Sequence, residues 1–295
     1  MNSSLDDPYV DEAVTIWCSS CGPVPPPGKQ SSQAAWDATL ILEDKDHIVN
    51  NLSSPREKAI YLAAVASHSG DWLSAMPIAS CGLKLDDEAI RVGVALRLGL
   101  PLCSPHDCCC GAPVDAWGSH AFVCKKAPGK ILRHHALNDI VARSLTSAEK
   151  PVRKEPAGLV SGSGKRPDGV SLLPWRNGKL IAWDVTVATT LAESYLAASS
   201  SRSGSAADLI SARKEAKYQG LPSDYKFVPL AFENLGPPSA DSSEFLSDLG
   251  RCIARVTGES REGIFLWQRI SVCIHRFNSV LLAQSFPDPH SSSVE

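Results

Sequence analysis

No window of the sequence comes near the ~18 uncharged apolar residues that a membrane-spanning helix requires. The opening residues also lack the basic start and apolar run of a secretion signal, carrying Asp6, Asp7, Asp11 and Glu12 instead. The expectation is a soluble, intracellular chain with no membrane partner. Cysteine is too sparse, at ten in 295 residues, for a small disulfide-stapled scaffold. In a reducing compartment clustered thiols bind metal or sit buried. No internal repeat is visible, which excludes a solenoid or propeller. What is present is a hydrophobic content of 43%, enough for one good core and a small satellite.

The net charge of −3 conceals an asymmetry: from Lys125 to Lys179 there are twelve Lys or Arg against four acids, a local excess of eight that leaves −11 for the rest. That basic stretch predicts a surface that faces phosphate.

Periodicity predicts a sparsely patterned leader with an isolated Cys18-Ser-Ser-Cys21, then helices over about 54–68 and 86–98. A longer amphipathic helix covers 130–148, its stripe formed by Ile131, Leu132, Ala136, Leu137, Ile140, Val141 and Leu145, with Arg133, His134, Asn138 and Asp139 off it. The period then changes to two. Runs at 166–173 and 179–187, joined by Trp175-Arg-Asn-Gly178, predict a hairpin, because Asn177 and Gly178 both tolerate positive φ. A Ser-, Ala- and Gly-rich mobile loop over 197–206 should open into a helix at Asp208. A strand over 225–233 and helices over 242–256 and 262–282 follow. The pattern is an α/β core with a mixed sheet.

Cys108, Cys110, His120 and Cys124 form C-x-C-x9-H-x3-C. Four such ligands can close a tetrahedron around structural Zn²⁺, and a hairpin too small for its own core gains folding energy from the metal. Gly111 and Gly118 allow the turns this needs. Cys103, Cys109 and His106 are competing ligands.

Asp168, in Arg166-Pro-Asp168, and Asp184, in Trp183-Asp-Val-Thr186, fall on the two hairpin strands, with Ile181 and Val185 expected on the face of Asp184. A carboxylate inside an apolar strand is costly to bury without a cation. Two of them can hold Mg²⁺ against a scissile phosphate. Glu155 is a candidate third carboxylate. Lys214 and Lys217, one helical turn apart, can place an ammonium near the same phosphate, and Tyr218 can orient it.

The succession of the Cys/His cluster, Ile131-Leu-Arg-His-His135, Lys165-Arg-Pro-Asp168, Asp184-Val-Thr186 and Lys214-Glu-Ala-Lys-Tyr218 resembles the C-terminal region of site-specific non-LTR retrotransposon proteins. There a CCHC zinc knuckle precedes a restriction-like endonuclease of the PD-(D/E)xK superfamily, which nicks target DNA so that the exposed 3′-hydroxyl primes reverse transcription. The resemblance covers about 70–286. It implies Mg²⁺ ligation by Asp168 and Asp184, Zn²⁺ ligation by Cys108, Cys110, His120 and Cys124, and action in the nucleus on DNA, with RNA a further candidate ligand. It implies a lysine role for Lys217 or Lys214, because the superfamily's lysine two residues after the second acid is Thr186 here. Arg133, His134, Lys165 and Arg166 are the candidate nucleic-acid contacts. No tyrosine followed by paired aspartates marks a polymerase, so the chain reads as a fragment, a decayed copy or a host-recruited domain, with any reverse transcriptase on a separate chain.

The expected fold class is a restriction-endonuclease-like α/β core, its mixed sheet flanked by helices, preceded by a small zinc knuckle and a helical segment. The expected divisions are a leader (1–53), a helical linker (54–100), the knuckle (101–129), the endonuclease domain (130–286) and a disordered tail (287–295). An alternative from a different class is a catalytically silent, zinc-containing nucleic-acid-binding module.

Overall fold

The computed structural model describes residues 8–159 and 165–287, so the expected tail lies almost wholly outside the described residues. The chain divides into two units that meet at residues 53 and 54.

The first unit is helical where a patternless leader was expected. Helices α1 (Pro8–Ser20) and α2 (Gln33–Asn51) flank the Pro-rich segment, and Trp17 meets Trp36 edge to face at 5.4 Å. The apolar spacing is weak, but Ala, Leu, Ile and Glu are compatible with helix throughout α2, so propensity carries what pattern does not.

The second unit opens with α3 (Pro55–Ala64) and α4 (Asp87–Leu98). Ser54 and Glu57 form a capping box on α3, Asp86 caps α4 through Ala89 N at 2.7 Å, and Gly99 ends α4 in the left-handed region. A two-stranded antiparallel ribbon of β1 (His106–Asp107) and β2 (Pro113–Val114) precedes the short α5 (Ser119–Val123) and the long α6 (Gly129–Ser147). Then come β3 (Val152–Lys154), β4 (Gly169–Ser171), β5 (Leu180–Ala188), α7 (Glu193–Ser199), α8 (Ser205–Lys217), β6 (Tyr225–Glu233), α9 (Ala240–Thr257) and α10 (Glu262–Ala283).

The main sheet is mixed, in the order β3-β4-β5-β6. The first three strands are antiparallel, and β6 runs parallel to β5 after the α7–α8 crossover. The Asn177-Gly178 turn forms as expected, with φ of 52° and 71° and Trp175 N donating to Lys179 O at 2.8 Å.

One sheet face is buried by α6, α9 and α10. Ile181, Trp183 and Val185 of β5 and Val228, Leu230 and Phe232 of β6 join Leu137, Val141, Leu249 and Ile270 in the core. Strand side chains alternate, so Asp184 points to the opposite face, and the expectation that Ile181 and Val185 share its face is wrong. That second face is covered by α8. The expected mobile loop over 197–206 is mostly ordered. Part of it is α7, and α8 begins three residues earlier than expected, at Ser205, where buried Glu233 accepts a hydrogen bond from Ala206 N at 3.0 Å. Alanine favours helix here, and Gly204 at φ 78° supplies the break between the two.

His275 of α10 is 3% exposed and lies 4.8 Å from Trp72, and burial depresses its pKa from 6.5 to about 3. The folded imidazole therefore stays neutral over a range where the unfolded one takes up a proton. Stability should fall as pH drops below about 6.5, by up to about 1.4 kcal/mol per pH unit from this group, and level off near pH 3. Denaturant melts of wild type and His275→Leu between pH 7 and 4 test this. The variant should show the shallower pH slope, and equal slopes would contradict the assignment.

Candidate active-site cleft and metal centre

Asp168 and Asp184 reach one cleft because β4 and β5 pair with Gly169 opposite Trp183. Gly169 is required: a Cβ there would lie 2.1 Å from Trp183 Cζ2, so any side chain would separate the strands or displace the indole. Trp183 in turn donates from Nε1 to Asn138 Oδ1 at 2.8 Å, and Asn138 Nδ2 donates to Asp168 O at 3.2 Å. A core tryptophan, through an asparagine of α6, thus fixes the backbone of the first acid.

Asp168 Oδ2 accepts from Val185 N at 2.6 Å, and its Oδ1 is 3.2 Å from His134 Nε2. The hydrogen bond to Asp168 raises the pKa of His134, ahead of the opposing effect of burial. His134 Nδ1 meets Val185 O at 3.1 Å.

Asp184 is 3% exposed. Its charge is met from α8: Lys214 Nζ bonds Oδ1, Tyr218 Oη lies 2.7 Å from Oδ2, and Lys217 Nζ is 3.6 Å from Oδ2. Tyr218 Oη also lies 2.6 Å from Arg166 O and receives Lys217 Nζ at 2.9 Å. Burial, and then Asp184, push the Tyr218 hydroxyl well above its ordinary range, so it remains protonated.

These groups surround a cleft of about 390 Å³ that Lys130, Arg133 and Arg166 also line. Among the described residues five Lys and Arg face two carboxylates, so the cleft is positive overall and suited to an anion. Of the sequence candidates, Asp168, Asp184, Lys214, Lys217, Arg133, His134 and Arg166 line the cleft, and buried Tyr218 supports it through Asp184. Lys165 lies at the edge, its Nζ donating to Lys217 O at 3.2 Å.

Two expectations need correction. Glu155 is exposed at φ 47° and does not line the cleft, although its N–H donates to Asp168 O at 3.1 Å. The backbone turns sharply where the strand ends, leaving two acids rather than three. Arg133, expected on the open face of its helix, is 4% exposed because α10 packs against α6. Sequence reasoning gave no role to Lys130 or Asn138. Only the spacing of Asn138 four residues after His134 on α6 hinted at a shared face.

A second cluster lies at the β1–β2 ribbon. One ligand atom from each of Cys108, Cys110, His120 and Cys124 lies within 4.8 Å of the others. Cys110 Sγ is 3.1 Å from His120 Nε2, and Cys108 Sγ is 3.8 Å from Cys124 Sγ. Gly111 at φ 87° turns the chain so that Cys108 N meets Ala112 O at 2.8 Å, and α5 presents His120. The Cys110 thiol is pulled down, chiefly by the Ala112 backbone amide, towards the thiolate that a metal needs, while burial pushes Cys108 up. Of the competing ligands, Cys103 Sγ lies 3.5 Å from Asp115 O and His106 Nε2 2.9 Å from Ser285 Oγ, whereas Cys109 Sγ lies 3.4 Å from Gln284 O and also 3.9 Å from Cys108 Sγ, at the border of the cluster. This three-cysteine, one-histidine set could hold a metal such as zinc.

No protein-family model matches the chain, and no curated protein matches it significantly.

The cluster predicts about one tightly held zinc per chain. Cys124→Ser should lose the metal and lower the thermal midpoint, measured by metal analysis and calorimetry. Full zinc content in that variant would contradict the ligand assignment.

Proposed function

We propose that this protein is a metal-dependent DNA endonuclease with a restriction-like core, cutting one strand and related to the nicking nucleases of non-LTR retrotransposons. The observation that carries this reading is the convergence of Asp168, Asp184, Lys214 and Lys217 in one positive cleft, with buried Tyr218 bonded to Asp184 behind it. A zinc knuckle at 101–129 and a place of action in the nucleus, with reverse transcription supplied by a separate chain, belong to the same reading.

The donor set suits Mg²⁺. Both acids line one cavity and offer it hard oxygens. Held between them, the ion would supply an activated water and neutralise charge on the phosphate. The remaining work falls to the chain. Arg166 and Lys217 hold the strand's phosphate by charge. Lys214, ion-paired with Asp184, places an ammonium where negative charge grows in the transition state. Tyr218, with its proton retained, fixes the orientation of Asp184 and the spacing of the two lysines. His134 keeps Asp168 turned into the cleft.

One observation favours the binding-only alternative: each Asp184 oxygen already has a partner, so that carboxylate is neutralised without an ion. Nicking of supercoiled plasmid in Mg²⁺ separates the two readings. Wild type should nick. Asp168→Ala and Asp184→Ala should lose at least ~100-fold in rate, about 3 kcal/mol of transition-state stabilisation, with zinc content unchanged. DNA binding without nicking by wild type, or equal nicking by the variants, would leave only the binding module.

A further inference from the structure

Helix α6 begins at the cleft, with Lys130 in its first turn and Arg133 one turn later on the same face. Arg133 is 4% exposed, and its Nη1 has no hydrogen-bond partner among the described residues. Burial lowers its pKa to about 10, which still leaves it charged at neutral pH. The nearby Cys273 thiol, pushed up to about 12 by burial, is neutral there and cannot serve as counter-ion. Lys130 is lowered by burial and then by repulsion from Arg133. The first turn of α6 carries no acidic residue, and the helix end adds partial positive charge. Two mutually repelling cations, one nearly buried, are unfavourable in isolation and become favourable when an anion lies between them and the cleft.

Two pairs differ among the five cations of the cleft: Lys214 and Lys217 are ion-paired with Asp184, whereas Lys130 and Arg133 form no ion pair with a carboxylate among the described residues. We infer that Lys130 and Arg133 form a subsite for a second phosphate of a DNA strand, adjacent to the phosphate held at Asp168 and Asp184. The placement beside a scissile phosphate rests on the proposed cutting site, but anion capture at this pair needs no magnesium. The substrate is then a strand with successive phosphates, and a lone phosphate occupies only part of the site.

The test uses the zinc-loaded full chain without magnesium. Inorganic phosphate and a four-nucleotide DNA strand are titrated by calorimetry, and thermal midpoints are recorded with and without phosphate. Phosphate should raise the wild-type midpoint saturably, and the DNA strand should bind at least tenfold tighter than phosphate. Lys130→Gln should weaken both ligands about tenfold, while Lys126→Gln, on the exposed segment before α6, should change neither. Arg133→Met should melt higher than wild type in phosphate-free buffer and lose the phosphate-induced rise. If it does not fold, Lys130→Gln alone decides. Absence of a phosphate effect on wild type, DNA binding no tighter than phosphate, or full affinity in Lys130→Gln would overturn the subsite. Intact phosphate and DNA binding in a protein that never nicks would refute the cutting reading and leave the subsite standing.

Discussion

A single buried carboxylate organises this molecule. Asp184 stands in the middle of β5 at 3% exposure, where an unpaired charge would cost several kcal/mol. It is tolerated because α8 brings Lys214, Lys217 and Tyr218 to it from across the sheet. The crossover from β5 to β6 must therefore place the last turn of α8 over β5. Buried Glu233, accepting a hydrogen bond from Ala206 N, anchors the opposite end of that helix. The polar residues that would destabilise an ordinary sheet here determine how the crossover packs.

The other face of the same strand supplies rigidity. Trp183 fills the core, leaves room only for glycine at 169, and through Asn138 holds the carbonyl of Asp168. Adjacent residues of one strand thus serve both layers: Trp183 sets the spacing of β4 and β5, and Asp184 carries charge into the cleft. A substitution that loosens the core at this point acts on the cleft directly, without passing through solvent-exposed loops.

Much of this was legible in the sequence because it rests on short-range rules. The Asn177-Gly178 turn, the strand at 225–233, the extent of α6 and the spacing of Cys108, Cys110, His120 and Cys124 are local signals, and each appears where its pattern puts it, although the buried face of α6 is shifted: Ile131 and Leu132 are exposed while Arg133 and Asn138 are buried. The pairing of Asp168 and Asp184 followed from the hairpin. What pattern could not give is side-chain fate set by distant packing. Arg133 looks like a surface residue until α10 covers it, and Glu155 looks like a site acid until the backbone turns it away. The face of Asp184 was misassigned by one residue of register, which in a strand exchanges core for cleft. The α1 and α2 helices carry too weak an apolar stripe to be read from periodicity. The order of the 197–206 segment depends on buried contacts with Glu233 that lie far away in sequence.

The proposed activity requires Asp168 and Asp184 to hold one divalent cation between them. Electron paramagnetic resonance of Mn²⁺ titrated into the zinc-loaded protein with a short DNA duplex counts that site directly. The account predicts one saturable ion per chain in wild type and none in Asp184→Asn or Asp168→Asn, with zinc and DNA binding retained. An undiminished Mn²⁺ site in both variants would contradict it.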